Sequence, residues 1–243
     1  MKIAAGIEML EISLEVMGRP GAVYPTLIWD KEAVVLVDTG FPGQFPRLRA
    51  AMAEAGVPFA KLNKVIITHQ DIDHIGGLPD ILRESRQKVE VLAHADDKPY
   101  IQGDKPLVKS SPENLKRFES LPAEWREKMK AVFTNPPKAP VDCAVADGEE
   151  LPFGGGIIVI ATPGHTPGHI CLYHRPSRTL IAGDAMNIVD GRLTGPNPAN
   201  AFDLDLAIRS LKKLAKYDIE KIICYHGGLY SNDANRAIAE LIA

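Results

Sequence analysis

Short apolar runs separated by polar and glycine-rich breaks dominate the chain. They predict strands at 8–16, 24–29, 33–37, Lys64–Ile67 and 89–93, and again at Ile157–Ala161, 170–173, 179–182 and 221–225. A helical spacing takes over at 46–56, where Leu48, Met52 and Ala55 share a face and Gly56 closes the run as a helix C-terminus commonly does. Further helices are predicted at 78–85, 113–131 and 203–216. Strands alternating with helices specify an α/β fold, with chemistry expected in the loops at strand ends. The pattern breaks over 96–140, which is rich in Lys, Pro and Ser and carries a Pro136-Pro137 turn, and it resumes from Val141. The chain therefore reads as a single domain over 1–243, with similar halves at about 1–95 and 141–243 joined by an insertion or lid. Trp125 and Met129 would sit in that lid or at the contact of a homodimer.

What each strand runs into carries the chemistry. Lys64–Ile67 leads into Thr68-His69-Gln70-Asp71-Ile72-Asp73-His74, which packs four side chains with metal-ligand atoms into six positions. His165 follows the Ile157–Ala161 strand, Asp184 follows 179–182, and His226 follows 221–225. Imidazole nitrogen with carboxylate oxygen suits zinc, and also non-haem iron or manganese. One histidine beside a strand is more often a structural residue. Asp71, Asp73 and His74 together, however, would repel one another or stay unpaired without a cation. The seven candidates divide into His69, Asp71 and His165 for one ion and Asp73, His74 and His226 for the other, with Asp184 as a bridge. Two divalent ions ~3.5–4 Å apart would share a hydroxide of lowered pKa and polarise the carbonyl or phosphoryl oxygen it attacks, which is hydrolysis. Asp73 then has two parts, as ligand and as the catalytic group that orients the hydroxide.

Composition removes other classes. With 243 residues and 45% hydrophobic content the chain can bury a sizeable core. A net charge of -3 with scattered Lys and Arg leaves no basic stripe for nucleic acid, so a small-molecule substrate is expected instead. Glu8 interrupts what would be the apolar core of a signal peptide, and no stretch approaches the ~18 apolar residues of a membrane span, so a cytoplasmic, membrane-free protein is expected. Cys143, Cys171 and Cys224 lack the spacing of a zinc-thiolate site and read as small core residues in a reducing compartment.

The ligand loop is joined by Val37-Asp38-Thr39-Gly40, Thr162-Pro163-Gly164-His165-Thr166-Pro167-Gly168-His169, Gly183-Asp184-Ala185 and Tyr225-His226-Gly227-Gly228. In order and spacing this series resembles the motifs of the metallo-β-lactamase-fold hydrolases over nearly the whole chain. The resemblance implies a four-layer αβ/βα sandwich, two mixed sheets with helices outside, and a binuclear site along one edge. It also implies that Asp38 supports the ligand loop and that His169 supports its neighbourhood without binding metal. The sequence departs from the family at one ligand: the commonest loop is His-x-His-x-Asp-His, and Asp71 stands where the second histidine would be. A carboxylate there makes the shell harder and more anionic, so manganese or iron stand beside zinc as the expected metals. If Asp71 points away, a mononuclear centre at Asp73, His74 and His226 is the alternative.

Fold does not select the bond that is cleaved. The absence of an appended domain and of a basic surface disfavours the flavo-diiron and nuclease branches. What remains is a small ester, lactone or thioester hydrolase, with a mononuclear iron oxygenase resembling the persulfide dioxygenases as the alternative. Quorum-signal lactonases of this fold often carry a tyrosine three residues beyond the bridging aspartate, where this chain has Asn187. Tyr24 and Asn187 are the candidate substrate contacts, and Met17, Val23, Tyr24 and Leu193 the candidate apolar wall.

Overall fold

The computed structural model describes residues 1–16 and 18–242, so Met17 lies outside the described residues. Two sheets form the centre. One has seven strands in the spatial order Lys2–Ala4, Ile7–Met9, Thr26–Trp29, Val34–Val37, Lys64–Ile67, Glu90–His94 and Cys143–Val145. The other has six, in the order Glu150–Leu151, Ile157–Ala161, Ile170–His174, Thr179–Ile181, Lys221–Cys224 and Gly228–Tyr230. Both are mixed. Lys64–Ile67 runs parallel to its neighbours on either side, and Thr179–Ile181 runs parallel to Lys221–Cys224, while the other pairs of the second sheet are antiparallel.

Alternation along the strands builds three apolar layers. Val35, Val37 and Ile66 point between the sheets and meet Val159, Ile170, Leu172, Ile181 and Ile223. Their sequence neighbours Leu36, Val65 and Ile67 point outward onto Leu48 and Met52 of the Phe45–Glu54 helix and Leu78 and Ile81 of the Leu78–Glu84 helix. On the outer face of the second sheet, Cys171, Leu180, Ile222 and Cys224 pack under Leu211, Leu214 and Ile238. Side chains of successive strand residues face opposite ways, so a run apolar at every position belongs to a sheet covered on both faces. This is the expected αβ/βα sandwich.

Several elements differ from the sequence reading for local reasons. The 8–16 run divides: Ile7–Met9 joins the large sheet, while Ile12–Val16 folds back on Arg19–Val23 as a separate ribbon, with Gly18 at φ +76° in the turn. The predicted 113–131 helix is a short helix at Pro112–Lys116, a 3-10 turn at Arg117–Ser120 and a helix at Ala123–Thr134. Pro122 causes the break, since proline disfavours helical backbone in the residue before it, and Leu121 is extended at ψ 153°. Cys171 and Cys224 are buried as expected, but Cys143 is only half-buried and its thiol donates to Glu90 Oε1 at 3.2 Å. Among the described residues, no helix is long and apolar enough to cross a membrane.

Candidate metal centre

The ligand loop is shaped before any ion is considered. Asp71 caps a one-turn helix, Ile72–Ile75, and its carbonyl accepts from the backbone N–H groups of His74 and Ile75 at 2.9 and 3.0 Å. The loop is clamped against the end of the Val34–Val37 strand, where the Thr39 N–H and hydroxyl both donate to the His74 carbonyl at 2.8 Å. Glycine is required at the next position but one, because a Cβ on Gly76 would lie 2.3 Å from the Pro42 nitrogen.

At the strand ends the candidate ligands converge. His69, Asp71, His165 and Asp184 form one buried group and Asp73, His74 and His226 a second, with the ligand atoms of each group within 4.8 Å of one another. Asp184 faces both: Oδ2 lies 3.4 Å from His165 Nε2, while Oδ1 lies 3.3 Å from His74 Nε2 and 3.5 Å from His226 Nε2. Asp71 turns inward, with Oδ2 at 3.2 Å from His69 Nε2 and 2.9 Å from His165 Nε2. Asp73 Oδ2 lies 3.1 Å from His226 Nε2. His69 Nε2, His74 Nε2 and Asp184 Oδ1 are buried without a hydrogen-bond partner. Each such atom costs about 1–3 kcal/mol unless something satisfies it. Buried imidazole nitrogens and carboxylate oxygens aimed at common points are a donor set that fits divalent cations.

Supporting contacts fix the rings. Asp38, at φ 62°, accepts from Thr68 N at 2.9 Å and from Thr68 Oγ1 at 2.8 Å, and its Oδ2 lies 2.8 Å from His74 Nδ1. That contact leaves His74 Nε2 pointing at the centre, as a carboxylate behind a metal-binding histidine does. His169 uses both nitrogens elsewhere, with Nδ1 2.9 Å from Thr162 Oγ1 and Nε2 accepting from Asp184 N at 3.0 Å. It thereby positions the Asp184 backbone. Tyr225 stacks on His74 with ring centroids 3.8 Å apart, and its hydroxyl donates to the Asp73 carbonyl at 2.5 Å.

Electrostatics divide the two groups. Burial and the neighbouring His74 imidazole push His69 below its ordinary pKa, leaving it a neutral donor. Burial acts in the same direction on His74 and His226, but carboxylates outweigh it. Asp38, Asp73 and Asp184 hold His74 well above its usual value, and Asp184 with Asp73 pushes His226 up to about 10. Burial opposes ionisation of Asp184, yet His226 and His74 hold its pKa well below the ordinary carboxylate range.

Two contributors had no signal in the sequence. Asp97, wholly buried, accepts from Gln70 N at 2.9 Å, Gln70 Nε2 at 3.1 Å, Thr166 Oγ1 at 2.7 Å and Gly168 N at 2.8 Å, so it ties the two ligand loops together. Lys109 contacts Asp71 Oδ2 and lies 3.0 Å from His165 Nε2. A cavity of about 420 Å³ opens beside Asp71, Asp73 and Lys109, and its apolar lining includes Phe41, Ile72, Phe118, Trp125 and Met129. The apolar wall is thus built largely by the 96–140 segment. Val23 is instead a core residue, and Leu193 packs on the outer core of the second sheet. Asn187 lines a neighbouring cavity with Asp184 and His226. Tyr24 packs on the core between the sheets, and its ring lies beside Gly228.

Comparison with known proteins is consistent with this architecture. The family model of the metallo-beta-lactamase superfamily matches residues 18–226. The Bacillus subtilis (strain 168) protein named "Probable metallo-hydrolase YflN" is 29% identical over 215 residues, covering 82% of this chain and 76% of that protein. A hydroxyacylglutathione hydrolase of Pseudomonas savastanoi pv. phaseolicola (strain 1448A / Race 6) is 29% identical over 180 residues, which span 72% of this chain and 51% of the relative. Among solved structures, a metallo-beta-lactamase family protein of Thermus thermophilus superposes with a TM-score of 0.74 at 25% identity, over 99% of this chain and 79% of that one.

Proposed function

The chain belongs to the metallo-beta-lactamase superfamily, and on that premise we propose that it hydrolyses the ester, lactone or thioester bond of a small molecule carrying an apolar acyl group. The observation that carries the reading is Asp184, whose two carboxylate oxygens face the two ligand groups. His69, Asp71 and His165 would hold one divalent ion and Asp73, His74 and His226 the other, with Asp184 between them. Zinc is the first candidate, and the carboxylate at Asp71 brings manganese or iron in as alternatives. Bound there, such ions lower the pKa of water and polarise the acyl carbonyl.

The chain's own groups supply the rest. Asp73, which lines the cavity, orients the attacking water. The acyl group lies along Phe41, Ile72, Trp125 and Met129. Asn187, beside Asp184 and His226, faces the leaving group. Thioester cleavage is supported by the likeness to hydroxyacylglutathione hydrolases, although the chain spans about half the length of the one compared above. An iron oxygenase needs only two histidines and one carboxylate, and a second group sharing Asp184 favours hydrolysis over it.

The test is a panel of lactones, thioesters and carboxylic esters of graded acyl length, assayed on metal-loaded wild type and Trp125→Ala. Hydrolysis that improves with acyl length in wild type, with kcat/KM for the longest substrate about 10-fold lower in the variant, is expected. Oxygen uptake on a thiol or persulfide without hydrolysis of any ester would replace this reading with the oxygenase one.

A further inference from the structure

Lys109 reaches into the first ligand group. Its ammonium contacts Asp71 Oδ2 and lies 3.0 Å from His165 Nε2, so it touches two of the four side chains in the first ligand group. The second group, Asp73, His74 and His226, has no lysine or arginine among its described partners. The contact is built in by the backbone. Val108 N–H donates to Gln70 Oε1 at 2.8 Å, and Gln70, one residue before Asp71, is itself held by the buried Asp97. The loop bearing the lysine is therefore fastened to the loop bearing the carboxylate. Only 13% of the Lys109 side chain and 11% of the Asp71 side chain is exposed, so water screens the pair little. The two residues also complement each other in charge: Asp71 puts a negative group among imidazoles, and Lys109 answers it.

From this juxtaposition we propose that Lys109 is a built-in competitor for the first ligand group, so that the protein loads its two groups unequally. This rests on the reading of the site as a metal centre. Asp73, His74 and His226, with Asp184 Oδ1, take the first divalent ion. An ion enters His69, Asp71 and His165 only as the ammonium leaves Asp71, and the adjoining 420 Å³ cavity, which Lys109 lines, gives the side chain somewhere to go. The divalent ion and the lysine exchange places on one carboxylate, and no covalent bond is broken.

The experiment is a zinc titration of the chelator-stripped full chain against a competing chromophoric chelator, for wild type, Lys109→Met and Lys109→Gln. Wild type is expected to show two separated dissociation constants. In Lys109→Met the weaker constant should tighten roughly 10- to 100-fold while the tighter one stays within about 2-fold, the range over which groups around a ligand tune metal affinity. Lys109→Gln removes the same charge while keeping a polar side chain and leaves Asp71 in place, and should tighten the weaker site likewise, so the outcome does not depend on one variant folding. Thermal unfolding adds a second readout, because a stability gap that closes on metal loading is not what loss of a merely structural lysine would give. Lys109→Met should melt below wild type when stripped, by leaving Asp71 unanswered, and the gap should close on metal loading. Two ions with unchanged constants in both variants would overturn the competition and leave the metal centre standing. Failure of every form to bind zinc would overturn the reading of the site itself.

Discussion

Asp38 shows how one carboxylate sets the chemistry of a neighbouring ring. It sits at φ 62°, a region asparagine also tolerates, so Asp38→Asn should keep the backbone while removing the charge behind His74 Nδ1. Metal affinity should fall roughly 10- to 100-fold in the second group, read by competition with a chelator, with little change in fold. Protons report on the same ring and on His226. With both imidazoles raised, and His226 at about 10, an entering ion must displace protons at neutral pH, so metal affinity should climb from pH about 6 to pH about 8. The stability of the stripped protein runs the other way. Raised imidazoles contribute stability that is fully present below about 6.5 and lost as pH rises towards about 10, so the stripped form should melt lower as pH climbs through that window. A flat affinity profile would show that neither imidazole is a ligand. At this scale the candidate ligands were legible in the sequence, because histidines and aspartates at strand ends stand out against apolar runs. The sequence could not expose Lys109, one of many scattered lysines, whose meaning comes only from its approach to a residue 38 positions away.

At the scale of elements, the centre depends on loops held by contacts distant in sequence. Asp97 bonds Gln70, 27 residues before it, and Gly168, 71 residues after it, and nothing in Ala95-Asp96-Asp97-Lys98 distinguishes this aspartate from its neighbour. Asp97→Asn replaces an acceptor of backbone N–H groups with a part-donor inside a buried network. It should cost about 1–3 kcal/mol, seen as a lower denaturation midpoint, and should weaken metal binding although it touches no ligand. Strands are more legible than helices. Lys64–Ile67 and Ile157–Ala161 match their apolar runs end to end, because continuous apolar residues between polar breaks leave little freedom in where a buried strand stops. The insertion reads as one long helix because helical spacing continues across Pro122, whose restriction on Leu121 overrides it. The role of Trp125 and Met129 as walls of the cavity likewise depends on where the helix docks, which no local pattern records.

For the whole molecule, two sheets packed face to face bring four strand ends to one edge, and that convergence turns separate residues into a site. His69, His165, Asp184 and His226 each follow a strand, and the parallel pairing of Thr179–Ile181 with Lys221–Cys224 brings Asp184 and His226 out on the same side. The order of motifs along the chain made the architecture legible, while the bond to be cleaved depends on a cavity whose walls come from the least regular part of the sequence. The central claim is that the converged groups hold divalent ions and that hydrolysis depends on them. It is tested most directly by stripping the protein with a chelator, adding zinc stepwise, and reading bound metal and thioester or lactone turnover in the same sample. Turnover that vanishes on stripping and returns in step with bound ion is the predicted result, and full turnover from protein with no ion bound would contradict the account.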